Sequence, residues 1–138
     1  MAESTKIDFR YRRLSQLDDI TDLVAIFFPG NRNQQHADAR ILLTFKYVDS
    51  VLPSLGFLER QYEISRRTLE RTRAKLARLG LIERVTWMNS RYGGQQGWRL
   101  SSRMGSAIWK LADKVDGWRT DTRPERREKD ERLVGVLT

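Results

Sequence analysis

The 138-residue sequence contains no cysteine and a single histidine. The missing thiols exclude disulfides, cysteine-type zinc fingers, iron–sulfur clusters and thiol catalysis, and they fit a reducing compartment. His36 has no second histidine and no cysteine with which to share a metal ion. It is read as a surface or half-buried residue near a helix start, and neither a metal site nor another cofactor is expected. Aromatic residues make up only 9% of the chain, and no aromatic-rich platform for stacking single-stranded bases is evident. No apolar run approaches the ~20 residues that span a bilayer. The opening MAESTKIDFRYRR lacks the apolar stretch of a signal peptide, so a cytoplasmic protein is expected. There is no phosphate-binding glycine loop and no nucleophile–base pairing, so no catalytic residues and no enzymatic activity are expected. No internal repeat is evident.

What is abundant is positive charge. Lys and Arg number 26 against 18 Asp and Glu, a formal net charge of +8. A chain this basic points to an acidic partner, with nucleic acid first and an anionic membrane surface second. The length suits one domain, and 39% hydrophobic residues suffice for a core.

Residues 1–13 form a basic arm in which Ile7, Phe9 and Tyr11 alternate with Asp8, Arg10 and Arg12. That period of two suggests an edge strand or a frayed arm, with a nucleic-acid contact as the functional alternative. Leu17, Ile20, Val24 and Phe27 predict a helix over 15–28, with Asp18 and Asp19 in its first turn and Pro29-Gly30 ending it. A second helix is expected from Gln34 to Val48, capped by Asn33, with Ala37, Ile41, Leu42, Phe45 and Val48 as its apolar stripe. DSVLPS reads as a turn, followed by a short helix LGFLERQY capped by Ser54. Ser65 then caps a helix that runs to Gly80. LIERVTWM and WRLS read as two strands joined by the glycine-bearing loop NSRYGGQQG. Met104, Ile108, Leu111, Val115 and Trp118 form a heptad seam on a last helix, 102–118, capped by Ser101 or Ser102. The seam predicts a homodimer contact, with packing on its own domain as the alternative. Residues 119–138 read as a charged tail, either a solvated helix extension or disordered, with LVGVL near its end.

The helix 65–80 carries Arg66, Arg67, Arg71, Arg73, Lys75 and Arg78 against Glu70 alone. Advancing 100° per residue from Leu69, Leu76 falls almost on top of it, with Thr72, Leu79 and Ala77 to either side. Arg67, Arg71, Ala74 and Arg78 fall opposite, with Glu70 and Lys75 at the margins. The cations therefore project away from the packing surface.

The element order is helix, helix, short helix, basic helix, hairpin, helix. Ser65-Arg66-Arg67-Thr68-Leu69, then Leu76…Leu79-Gly80-Leu81-Ile82-Glu83-Arg84, then Trp98-Arg99-Leu100-Ser101…Gly105 stand in the order of a recognition helix, its exit and a returning wing strand. Over roughly 34–118 the sequence resembles the winged helix-turn-helix family of transcription regulators, particularly MarR-like and related single-domain dimers. Ser101 stands where the family usually has threonine, and the glycine comes one residue later than in its commonest pattern. The resemblance implies a mainly α fold with a small antiparallel β-hairpin: a winged helix-turn-helix domain over 14–118, flanked by an N-terminal helix and a C-terminal dimerisation helix. Its recognition helix would be 65–80 and its wing 81–101.

That resemblance implies sequence-specific binding of double-stranded DNA as a transcriptional regulator, at the nucleoid. Arg66, Arg67 and Thr68 would face base edges, since arginine can present two donors to guanine. Glu70 would accept from cytosine or hold a neighbouring arginine. Arg71, Lys75 and Arg78 would neutralise phosphates. Backbone N–H groups near Ser54 would meet another phosphate. The wing tip, with Arg91, Gln95 and Gln96, would probe the minor groove. Two other functions use such a fold: a plasmid or phage partition or replication-control protein coating repeated sites, and a protein-interaction adaptor without DNA contact.

Overall fold

The computed structural model describes residues 5–48, 51–86 and 96–138. Among them the chain is mainly helical, with seven helices and one small antiparallel sheet of two strands. It divides into two compact units, Met1–Met104 and Gly105–Thr138.

Residues 5–10 belong to no strand or helix, and Asp8 N–H donates to the carbonyl of Ile26 at 3.0 Å. A short helix α1 (Tyr11–Ser15) follows, then α2 (Ile20–Phe27). The helix expected over 15–28 begins only at Ile20, because Asp19 acts as its N-cap. The Asp19 carboxylate accepts from the N–H of Thr21 and of Asp22, while the Asp22 carboxylate accepts from the Asp19 N–H. This reciprocal box competes with an earlier helix start and sets the first helical residue at Ile20. Leu17, expected on the buried stripe, is exposed, and Phe28 at the end of α2 is buried instead.

Helix α3 (Arg32–Tyr47) is capped by Asn31, two residues earlier than expected, with its Oδ1 accepting from Gln34 N–H at 3.1 Å. Helix α4 (Phe57–Gln61) is one turn and a half, and α5 (Arg66–Leu79) starts after a tight turn. In that turn Glu63 stands at φ 55°, a left-handed conformation that a side chain adopts at some cost. Ser65 caps α5, accepting from Thr68 N–H at 3.1 Å. Gly80 ends it at φ 84°, and Leu81 N–H returns to the carbonyl of Leu76 at 2.9 Å. This is the left-handed helix stop that glycine permits. Gly80 is also a close-packed position: a Cβ there would lie 3.1 Å from the backbone nitrogen of Met104, which donates to the Gly80 carbonyl.

Strands β1 (Ile82–Val85) and β2 (Gly97–Leu100) pair antiparallel, Ile82 opposite Leu100 and Val85 opposite Gly97. Leu52, in the segment expected to be only a turn, bridges to the far side of β2 through two hydrogen bonds with Trp98, 2.7 and 2.9 Å long. Gly97, at φ 145°, makes this approach possible, because a Cβ there would run into the Leu52 carbonyl.

The core joins α2, α3, α4, α5 and the sheet. Phe28, Ile41, Leu55, Leu58, Leu76 and Ile82 are its largest fully buried apolar side chains. Leu69 and Leu76 anchor α5 as the helical spacing predicts. Met104, in the first turn of α6 (Arg103–Gly117), belongs to this core as well.

In the second unit, the remainder of α6 is exposed, and α7 (Pro124–Gly135) forms where a tail was expected. Proline at the first helical position and the pairs Arg126–Asp130 (3.1 Å) and Arg127–Glu131 (3.2 Å) support α7, the solvated-helix alternative for this segment. It buries no residue, and Leu133, Val134, Val136 and Leu137 remain exposed.

Candidate functional site

The strongest surface feature is the exposed face of α5. Arg66, Arg67, Arg71 and Arg78 are all exposed, and Ala74 among them is half-buried. Leu69, Thr72 and Leu76 are buried on the opposite side. Arg66 is paired with Glu70 one turn later at 3.1 Å, so Glu70 holds a neighbouring arginine. Neither Arg67 nor Arg71 has an acidic partner among the described residues. Thr68 is half-buried, and its Oγ1 accepts from the Ser65 hydroxyl at 2.8 Å, leaving its own proton to donate.

The hairpin is fastened beside this face by an aromatic clamp. The Trp98 ring receives the Arg73 guanidinium at 5.0 Å and that of Arg84 at 5.6 Å. Such contacts contribute roughly 0.5–2 kcal/mol each, according to exposure. Glu83 holds Arg99 at 3.4 Å and Arg103 at 3.5 Å. Sequence reasoning left Arg73, Arg84 and Trp98 out of the site, although a tryptophan within a basic hairpin is a signal for such stacking.

Three expected site residues are placed differently. Lys75 is not on the open face but buried, donating from Nζ to the carbonyl of Lys6 at 2.8 Å and lying 4.6 Å from the centre of the Phe28 ring. It sits at the margin of the helix face, and there the N-terminal segment covers it. Ser54 does not cap a helix: α4 starts at Phe57, and the Ser54 Oγ accepts from Gly56 N–H at 3.0 Å. The N–H groups of Leu58 and Glu59 are also taken, by the carbonyls of Leu55 and Gly56. Met104 is in the core and so is absent from the exposed seam of α6. The rest of that seam is exposed: Ile108 36%, Leu111 53%, Val115 69% and Trp118 67%. Gln96 is exposed just before β2, whereas Arg91 and Gln95 lie outside the described residues.

Beneath α5, where it packs on α3, lies a buried polar group that sequence reasoning missed. Asp38 is fully buried, and neither carboxylate oxygen has a hydrogen-bond partner. Thr72 is equally buried with an unpartnered Oγ1. Burial pushes the Asp38 carboxyl up to about 7, opposed by the positive charge of Lys75. Lys75 is lowered in turn, by burial first and then by Arg78, with Asp38 acting the other way. The apolar periodicity of α3 gave no warning of an acid at this position.

Among the described residues, no group of three or more His, Cys, Asp and Glu side chains is arranged to hold a metal ion, and no helix is long and apolar enough to cross a membrane. Comparisons with protein-family models, with curated proteins and with solved structures found no match.

Proposed function

We propose that the chain is a winged helix-turn-helix protein that binds double-stranded DNA sequence-specifically, as a dimeric transcriptional regulator. One observation carries this reading: α5 presents Arg66, Arg67, Arg71 and Arg78 to solvent on one face while Leu69, Thr72 and Leu76 anchor the other. A single helix fits a major groove about 12 Å wide, and the half-buried Ala74 permits close approach. Arg66, Arg67 and Thr68, at the helix start, meet base edges. Arg71 and Arg78 meet phosphates. The order α4, turn, α5, hairpin supports the winged layout, and Gln96, together with Arg91 and Gln95, is assigned to the minor groove. Lys75 and Ser54 have no part in the contact, since their polar groups are engaged within the protein.

The test is selection of bound sequences from a random duplex pool under washes of rising salt. A palindromic consensus with half-sites about one helical turn apart supports a dimeric regulator. Tandem repeats would shift the role to partition or replication control. A pool that emerges unenriched removes sequence-specific binding.

Dimerisation is assigned to Ile108, Leu111, Val115 and Trp118, an apolar stripe left exposed on α6. Leu111→Glu places a charge in the middle of that seam and is expected to convert a dimer to a monomer by light scattering. An unchanged mass in the variant refutes the seam.

A further inference from the structure

The exposed face of α5 has two edges, and each is bordered by a different part of the chain. Counting 100° per residue from Leu69, Arg73 lies about 40° round the helix and Lys75 about 240°. Arg66, Ala74, Arg67, Arg78 and Arg71 fall between them. At the first edge, Arg73 stacks on Trp98 of β2. At the second, Lys75 Nζ donates to the carbonyl of Lys6 at 2.8 Å. The N-terminal segment therefore borders α5 along the flank that the hairpin leaves uncovered.

This segment is pinned rather than loose. Asp8 N–H donates to the Ile26 carbonyl, a second fixed point two residues after the first. The Asp8 carboxylate then receives Arg10 through Nε at 2.9 Å and Nη2 at 2.8 Å, with Arg13 Nε at 3.6 Å. The Arg10 hydrogen bond holds that carboxyl well below its usual range, at about 2. Asp8 therefore stays ionised and orients two guanidinium groups. Arg12 is exposed with no acidic partner among the described residues. Arg10, Tyr11, Arg12, Arg13 and Gln16 line an open cleft of about 500 Å³. Lys6, Arg10, Arg12 and Arg13 against Asp8 leave a net charge of +3 on this short stretch.

We propose that the segment from Lys6 through α1 is a second phosphate-binding surface for duplex DNA, held beside α5 by the buried ammonium of Lys75. The proposal rests on the DNA-binding reading of α5 and adds a second row of contacts to it. Because the backbone at Lys6 and Asp8 is already fixed, meeting phosphates orders arginine side chains and not the chain that carries them. Lys75 is a positioning residue here: it binds the protein's own backbone, not the ligand. An anionic bilayer is the rival occupant, since Phe9, Tyr11 and Leu14 are exposed on the same stretch. Continuity with the arginine face of α5 favours the duplex.

The test compares the full chain with Arg12→Ala/Arg13→Ala, measuring duplex affinity against salt. Two lost phosphate contacts are expected to lower the slope of log affinity against log salt by about 2, and affinity near 150 mM salt by tenfold or more. The ranking among duplex sequences, set by α5, is expected to persist. A variant that keeps the full slope overturns the proposal and leaves the reading of α5 standing. A wild-type chain that binds no duplex removes both. Vesicles of phosphatidylserine and phosphatidylcholine supply the other arm: if the variant loses vesicle binding but keeps its full duplex slope, the surface belongs to a membrane and the proposal fails. Lys75→Met keeps an unbranched side chain of similar length but has no ammonium to hold Lys6 or to lie over Phe28. It is expected to reduce the slope in the wild-type background and to have a smaller further effect once Arg12 and Arg13 are gone, since only Lys6 and Arg10 then remain to be displaced. An undiminished extra loss in that background overturns the positioning role.

Discussion

Asp38→Asn is expected to make the protein more stable at pH 8 while changing it little at pH 4. The folded carboxyl titrates at about 7, raised from 3.8 by burial, and has no hydrogen bond to either oxygen. Raising an acid's pKa on folding means that the folded state holds a proton which the unfolded chain has released. Stability from this group is therefore full below about pH 4 and is lost as pH rises through 7. About three pKa units at ~1.4 kcal/mol each set an upper figure near 4 kcal/mol. Asparagine has nearly the same shape, no charge and no titration, so it avoids the cost of ionising a buried group. Urea denaturation of both proteins at pH 4, 6 and 8 checks this. The difference between them should grow steadily with pH, and parallel pH profiles would show that Asp38 does not titrate across this range.

Arg67→Ala/Arg71→Ala is expected to lower duplex affinity by one to two orders of magnitude near 150 mM salt. Both side chains are exposed, and neither is paired with an acid among the described residues. Their loss removes up to two phosphate or base contacts, and the salt slope should fall accordingly. Stability should hold within about 0.5 kcal/mol, since such surface changes disturb no packing. A thermal melt controls for folding, and a fluorescence-anisotropy titration reads the binding. Arg67 lies nearer the helix start, so discrimination between target and scrambled duplexes should also narrow. A large drop in the melting temperature would mean that the face supports the fold. A binding curve indistinguishable from wild type would take the interface away from α5.

The helices with regular apolar spacing were legible in advance. Ile41, Phe45, Leu69 and Leu76 are buried where their periodicity puts them, and Ser65 and Gly80 bound α5 through the chemistry that their types suggest. Boundaries decided by side-chain competition were harder to read. Asp19 starts a helix that apolar spacing alone would begin earlier, and Asn31 outcompetes Asn33 as a cap by reaching Gln34. Long-range partners were not legible at all. Nothing local to Lys75 indicates that its ammonium meets the Lys6 carbonyl, and nothing in a polar-looking position such as Asp38 says that α5 will cover it. Helical angle placed Lys75 at the margin of the face correctly, but only the folded chain shows what occupies that margin. The same holds for Met104, whose heptad position suits a seam while its place at the first turn of α6 puts it beside Gly80 and in the core.

The bridge from Leu52 to Trp98 also bears on what holds the hairpin together. A two-stranded hairpin can zip from its own turn within microseconds, but alone it is marginally stable. Here its outer edge is completed by a residue that precedes α4, so the pairing closes a loop around α4, α5 and β1. A contact of such sequence separation carries a loop-closure cost, which the core packed between its two ends must offset. The outer edge of the sheet is thus completed only where the chain before α4 returns to it, so the hairpin depends on the helices packed between Leu52 and β2.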